Sequence, residues 1–567
     1  MIDLASGRKA YLITALCLIP AAGLADGVDK ARAPAASSMN WTGFYVGTHT
    51  GGAVGSADIA DPFGPSIYGD KVTHPGPLAG FQLGYNRQSG RMVVGLEADV
   101  SLADLDGTNT CLAFSGFYVS ANCHMKTKAF GSITGRAGWA VGTYGQTLLY
   151  GKGGVAWIHN EIDIENGNQY FGFRPDQIVS NTYTRWGWTV GGGIEHAVTP
   201  AISIRAEYDY MDFASASAGF PSSTFFPPLA IVPGGTTSVD DHLHVFKLGV
   251  NYRFGAGAGG WDHDRGSIKD APMPVRMPGL EVEFGARYWY STGKFQWDND
   301  KPGSIIESRL TYDHLTGHSG ELYGRVDGPH NVFVKGNVGV GSINSGKMND
   351  EDWGILGAIS YSNTVSHEDN GKLSYATSDI GLTWLRGPGY KVGSFVGYNY
   401  FAERADSHGC VQIANVLFPC LAAGDNRLIG TQDATWESVR LGMAAEVALT
   451  RGLRLTADAA WVPYTRFDGR DNHLLRTQTT YFDQEGTGRG MQIEAILSYD
   501  VTPNLSLGVG GRYWSMWTTD GSFTCTGCGA PGVTSNPPNP ERVSTERYGV
   551  LLQGTYRFGV MDTVPLK

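Results

Sequence analysis

Two short spacings in this 567-residue chain bring chemistry-bearing side chains close together. One is Asp350-Glu351-Asp352, within SGKMNDEDWG (345–354); the other is Asp471-Asn472-His473, within FDGRDNHLLR (467–476). Hydrolysis by water needs a base to take the proton, a group to orient that base, and something to hold the water and the developing oxyanion. His473 has the chemistry of the base, and Asp471, two residues earlier, that of the group which orients it and stabilises the imidazolium. In an extended segment the i, i+2 spacing aims Asp350 and Asp352 the same way, so the pair can hold a water and share a proton as coupled carboxylates do. Such chemistry needs neither a covalent intermediate nor a metal. Taken alone, each motif reads as solvated charge on a polar loop, and Asp-x-Asp also suits a weak calcium site. The two gain meaning only if the fold brings them to one place.

The elements that would do so are strands. Gly (79 residues), Tyr (27), Phe (24) and Trp (14) are plentiful, and only 17 % of residues are charged, against about 25 % in ordinary soluble proteins. That balance excludes disordered, coiled-coil and helix-rich classes. A net charge of -11, from 54 acidic and 43 basic residues, argues against nucleic acid as a partner. Mean hydropathy is -0.18, and only one long apolar run exists, which excludes a helical membrane protein. Alternation with period two is pervasive. Ile202, Ile204, Ala206, Tyr208 and Tyr210 share one face, and Ser203, Arg205, Glu207 and Asp209 the other. Met92, Val94, Leu96 and Ala98 oppose Arg91, Glu97 and Asp99, while Leu280, Val282, Phe284, Tyr288 and Tyr290 oppose Glu281, Glu283 and Arg287. An apolar face toward lipid with a polar interior explains both sides of each strand.

Eight such strands are expected before residue 255: 41–55, 77–88, 91–100, 127–140, 145–158, 184–196, 200–211 and 243–254. Ten follow residue 278: 280–297, 304–327, 332–344, 373–386, 391–404, 436–450, 453–467, 489–500, 505–519 and 545–559. Tight turns alternate with long connections, as in bacterial outer-membrane barrels. The expected fold is all-β: an eight-stranded and then a ten-stranded transmembrane antiparallel barrel. Even counts put both termini and the linker on the periplasmic side. Both halves close on the same tetrapeptide, Tyr252-Arg253-Phe254-Gly255 and Tyr556-Arg557-Phe558-Gly559, a terminal aromatic of the kind the outer-membrane assembly machinery reads. Arg8, Lys9 and the apolar Ala10–Ala25 stretch give a signal peptide over 1–25. A periplasmic spacer (26–39), the first barrel (40–255), a Gly/Pro-rich linker (256–279) and the second barrel (280–567) complete the expected organisation. Once Cys17 leaves with the leader, six cysteines remain as local pairs: Cys111 with Cys123, Cys410 with Cys420, Cys525 with Cys528. In an oxidising compartment these read as disulfides, all in loops on the outer side.

The segments NWTGFYVGTHTGGAVG (40–55), GRAGWAVG (135–142), GGGIEHAVTP (191–200), RAEYDYMDF (205–213) and KLGVNYRFG (247–255) resemble the small outer-membrane barrels of alphaproteobacteria, the surface-antigen family. That implies a structural, adhesive or at most narrow-pore role. The second half resembles the omptin family of outer-membrane proteases through the two motifs above and VTPN (501–504). The resemblance implies that Asp350 and Asp352 face Asp471 and His473 across the mouth of a ten-stranded barrel, as an endopeptidase of aspartic type acting on peptide or protein at the cell surface. It implies no cofactor, although omptins bind lipopolysaccharide for activity. Omptins that cut between basic residues have two acidic pocket side chains; the best-matching positions here are Ala286 and Gly469, with Asp468 or Glu283 as candidate substitutes. The competing reading is a non-enzymatic structural or adhesive surface protein. A diffusion porin is weaker, because neither barrel approaches the about 16 to 18 strands of a water-filled pore.

Strand parity adds a requirement. Leu453, Leu455, Ala457 and Trp461 face lipid, and unbroken alternation carries Asp471 and His473 to that same face, so the strand must shift phase, at Pro463 or Gly469. The same holds for Asp350 and Asp352, with Gly341 and Gly346 as candidate breaks. Elsewhere, His242-Leu243-His244 reads as solvated strand entry and Asp262-His263-Asp264 as polar linker. Glu97, Asp99, Arg136, Arg205, Glu207 and Asp209 read as polar filling that pairs within the first barrel.

Overall fold

The computed structural model describes residues 39–114, 119–142, 144–166, 178–225, 230–255, 280–300, 306–355, 359–387, 389–414, 420–422, 424–450, 452–476, 478–528, 531–535 and 538–558. The expected signal peptide, the linker with Asp262-His263-Asp264, and Gly559 lie outside the described residues.

Eight long strands form a ring in the first half: β1 (Gly43–Ile59), β2 (Lys71–Ser89), β3 (Met92–Cys111), β4 (Ala121–Val141), β5 (Thr147–Asn166), β6 (Ile178–Ala197), β7 (Ile202–Phe213) and β11 (Gly235–Arg253). All neighbours are antiparallel, and β1 closes on β11 from Tyr45↔Arg253 to Ile59↔Val239. Between β7 and β11 the chain forms β8 (Ala216–Phe220), which pairs with β11, and a small hairpin of β9 (Ser223–Phe225) and β10 (Ala230–Val232). The second half is a closed ten-stranded barrel in chain order: β12 (Glu281–Asp300), β13 (Ile306–Asp327), β14 (Val332–Ile355), β15 (Ile359–Gly387), β16 (Tyr390–Ala414), β17 (Leu428–Thr450), β18 (Leu453–His473), β19 (Thr480–Asp500), β20 (Leu505–Thr526) and β21 (Asn539–Phe558).

Strand number and order are as the alternation predicts, but strand length is not. Crossing the apolar layer at a tilt takes about 9 to 11 residues, whereas β14, β15 and β16 have 24, 29 and 25. The surplus extends beyond the apolar belt, where inter-strand hydrogen bonds continue without lipid to enforce an apolar outer face. Most segments expected as long loops are therefore paired strand, including the one that carries Asp350 and Asp352. The tight turns sit at the other end; Gly90 adopts φ 60° in the Ser89-Gly90 turn, a left-handed conformation that costs glycine no Cβ clash.

Belt positions carry exposed apolar side chains, such as Phe81, Leu83 and Leu96 on the first barrel and Val338, Val340 and Leu382 on the second. The first barrel's interior is closed by a charge network. Arg205 meets Glu97 at 2.6 Å, Arg136 meets Glu195 at 2.7 Å, and Lys247 lies 2.9 Å from Asp209 and 3.0 Å from Asp99. Lys152, 2.9 Å from Glu207, completes it. The six residues read as polar filling are all in this network, joined by Lys152, Glu195 and Lys247. His244 faces outward at the belt, its Nδ1 2.8 Å from the Tyr208 hydroxyl.

The two barrels touch along their walls. Ile204, Ala206 and Leu248 of the first share a crevice with Met443, Val447 and Leu455 of the second. Gly52 lies against Met491 and Ile493, where any Cβ would clash with the Met491 sulfur. His196 and Tyr390 pack as tilted rings with centroids 4.8 Å apart. Leu455 and Ala457, expected to face lipid, thus face outward onto the first barrel.

Candidate active site

β18 reaches the mouth with the phase shift that its alternation demands. Val462 is buried inside the barrel and Trp461 exposed outside. The registers with β17 and β19 both slip here, between Leu441↔Trp461 and Val439↔Tyr464 on one side and between Val462↔Gly490 and Thr465↔Gly488 on the other. Pro463, which has no N–H to donate to a ladder, sits in this bulge. From Thr465 onward the odd-numbered residues Phe467, Gly469, Asp471 and His473 point inward. β14 has its break between Ile343 and Gly346, after which Met348, Asp350 and Asp352 face the interior, while Asn349, Glu351 and Trp353 face outward.

The ends of β14 and β18 thereby meet across the mouth. His473 Nε2 lies 2.7 Å from Asp471 Oδ2, with Asp471 buried and His473 half-buried. The imidazole also packs on Phe482 at 4.9 Å, which in turn makes tilted ring contacts with Trp297 and Phe523, each at 5.6 Å. Burial alone would pull the imidazole pKa down; the Asp471 carboxylate, helped by Asp350, more than offsets this and raises it above the ordinary histidine value. Opposite, burial and then the neighbouring Asp352 push Asp350 well above the usual carboxylate range, and His473 pulls the other way. Burial also raises Asp352, against Ser308, which bonds to it, and against His473. The mouth thus holds a carboxyl pair that burial pushes toward the protonated form, within electrostatic reach of the imidazole bonded to Asp471.

Further acidic groups line the same interior, and the motifs gave no sign of them. Gln432 donates to Gln484 at 2.8 Å, and Gln484 to Glu541 at 2.7 Å. Burial raises Glu541 well above its usual value, and Asp471 adds to the effect. Glu368, bonded by the Ser407 hydroxyl at 2.5 Å, is pushed up to about 8 by burial. Tyr312 is buried within electrostatic reach of Asp471, Glu368 and Asp350. Glu541 could have been found by alternation with Val543 and Thr545, both inward.

The two pocket positions fare differently. Ala286 faces away from the interior, flanked by exposed Phe284 and Tyr288 at the opposite end of β12. At the level of His473 that strand instead presents Trp297. Gly469 does point inward, and a Cβ there would meet Phe467 and Gln484. Neither candidate substitute reaches the site: Asp468 pairs with Arg466 on the outer wall, and Glu283 pairs with Arg557 at the far end.

Disulfides join Cys111 to Cys123, Cys410 to Cys420 and Cys525 to Cys528, all at the end of the barrels where the site lies. Cys111, Cys123, Cys410 and Cys525 lie within strands, where loops were expected.

A closed ten-stranded barrel with this mouth agrees with a family comparison. Residues 281–527 match the omptin family. Residues 30–254 match the outer membrane protein beta-barrel domain. The omptin-like half is similar to the outer membrane protease OmpT of Escherichia coli, at 12 % identity over 52 % of this chain and 100 % of that one, with a TM-score of 0.42. The first half is 26 % identical over 242 residues to the 31 kDa outer-membrane immunogenic protein of Brucella melitensis, covering 40 % of this chain and 90 % of the relative. It is 29 % identical over 198 residues to the 22 kDa outer membrane protein of Rhizobium leguminosarum, covering 34 % and 74 %. The chain is an outer-membrane β-barrel protein with an omptin-like C-terminal domain.

Proposed function

We propose that the second barrel is an endopeptidase of the outer membrane, with its mouth toward the cell exterior and the termini and linker in the periplasm. The observation that carries this reading is the His473–Asp471 pair, 2.7 Å apart, within electrostatic reach of Asp350 and Asp352 across one barrel mouth. A water held between the two sides would give its proton to the ring nitrogen that Asp471 does not engage. Asp471 would stabilise the imidazolium that forms. The proton kept by the Asp350/Asp352 pair would be donated toward the carbonyl oxygen as it gains charge, in the manner of coupled carboxylates. On collapse the C–N bond would break, the imidazolium giving its proton to the leaving amine and the oxygen returning its own to the carboxyl pair. No residue is acylated. The substrate is peptide or protein at the cell surface, and lipopolysaccharide around the belt is the proposed lipid partner. The first barrel, with its interior closed by ion pairs, serves as anchor and neighbour.

The test is cleavage of a peptide library by the full chain refolded with lipopolysaccharide. Wild type should cut, and Asp471→Asn and His473→Ala should not. Equal cleavage by all three, or cleavage by none, refutes the reading and leaves a structural or adhesive surface protein.

A further inference from the structure

At its mouth end, the strand that carries Asp350 and Asp352 is covered on its outer face by the other barrel. Glu351 points out of the second barrel, yet it has no exposure. Its Oε2 accepts a hydrogen bond at 2.7 Å from the Thr110 hydroxyl, on β3 of the first barrel, and its Oε1 accepts one at 2.6 Å from Tyr361. Two residues on, Trp353 Nε1 donates at 2.7 Å to Ser120 Oγ of the first barrel. Next to Glu351, Arg309 on β13 is also fully buried. Its guanidinium forks onto Asp298 at 2.7 and 2.9 Å and crosses the boundary to Thr110 Oγ1 and Asn122 Oδ1, both at 2.9 Å. Ile67 of the first barrel packs against the cluster of Ile306, Trp353, Tyr361 and Ala414.

On an isolated barrel these side chains would stand on an outer wall beyond the belt, in water. Here they form a buried polar junction, in which removing a partner of Glu351 or Arg309 leaves a buried charged group short of a hydrogen bond. Past the break in β14 the faces alternate: Glu351 and Trp353 bind the first barrel and Asn349 bonds Asn363 of β15, while Asp350 and Asp352 between them face the mouth. Fixing the odd positions fixes the even ones, because adjacent residues of a strand share one backbone and face opposite ways.

We propose that the first barrel is a lateral partner that positions the site-bearing strand of the second, with Thr110, Glu351 and Arg309 as positioning residues. The claim rests on the peptidase reading for its catalytic part and on the contacts alone for its structural part. Thr110→Val keeps the shape and removes both the donor to Glu351 and the acceptor for Arg309. In the full chain it should lower kcat by about ten- to a hundredfold, the scale of a displaced catalytic group, with KM within about twofold. Thr110→Ser should restore kcat, since it returns the hydroxyl. Amide hydrogen exchange over 349–353 should quicken in Thr110→Val and return to the wild-type rate in Thr110→Ser. Unchanged kcat in Thr110→Val, or failure of Thr110→Ser to restore it, overturns the proposal. If wild type cuts no peptide, the peptidase reading falls separately. Hydrogen exchange then decides: a Thr110→Val chain that protects 349–353 as wild type does overturns the lateral contact as well.

Discussion

Asp471→Asn keeps the shape of the side chain and removes the charge that sets the histidine. Asp471 is 2 % exposed, and its Oδ2 lies 2.7 Å from the imidazole. A buried hydrogen bond to a charged partner contributes about 1.5–3 kcal/mol, and about 1.4 kcal/mol corresponds to one pH unit of titration. Since Asp471 is the main group that holds the imidazole up against burial, its loss should lower the His473 pKa. A general base acts when neutral, so activity rises as pH passes upward through the His473 pKa. The acid limb of the kcat/KM profile should therefore lie above the ordinary histidine range in wild type and move down by about one to two pH units in Asp471→Asn. The plateau should fall by about 10²–10⁴, because a neutral amide neither orients the ring nor stabilises its charged form. The assay is hydrolysis of a fluorogenic peptide by the full chain in lipopolysaccharide from pH 4.5 to 9. An acid limb that stays in place or moves up would show that Asp471 does not govern the base.

Three further outcomes follow from the same structure. Asp350→Asn and Asp352→Asn should each lower kcat by about 10²–10⁴, and the double variant should be little worse than either single one, since the pair acts as a unit; additive losses measured in the same assay would contradict this. Glu97→Ala takes from buried Arg205 its nearest carboxylate, at 2.6 Å, and leaves it only Glu207 at 3.5 Å, while Arg136 keeps Glu195. It should cost about 3–5 kcal/mol of stability, read by urea unfolding in lipid vesicles, and a loss under about 1 kcal/mol would mean the network absorbs the missing carboxylate. Planar-bilayer recording should show no steady single-channel steps, because side chains fill the first barrel and close-packed aromatic groups such as Trp289, Tyr375 and Trp514 cross the second; porin-like conductance would contradict that packing.

How the fold was written in the chain is instructive at particular residues. Period-two alternation gives strand number and barrel split, because lipid on one side and polar filling on the other stamp opposite residues at every step. It underestimates strand length, since beyond the belt the outer face of β14 carries Asn349, Glu351 and Trp353 rather than an apolar row. The break at Pro463 was legible, as alternation on its two sides conflicts and proline cannot complete a ladder. The approach of Asp350 and Asp352 to His473 was not, because the phase of each strand at the mouth depends on bulges set by partner strands. Ala286 shows the opposite failure: a position matched along the chain faces outward at the wrong end of its strand. Lateral packing was hidden because a residue such as Ile204 suits a lipid tail and a neighbouring barrel equally well.

The most direct test of the account is peptide cleavage in H₂¹⁸O, with products weighed by mass spectrometry for the wild-type chain and for His473→Ala. Wild type should release fragments whose new carboxylate carries one ¹⁸O, and His473→Ala should release none. No cleavage by wild type, or the same labelled fragments from both, would contradict the claim that His473 activates a water at this barrel mouth.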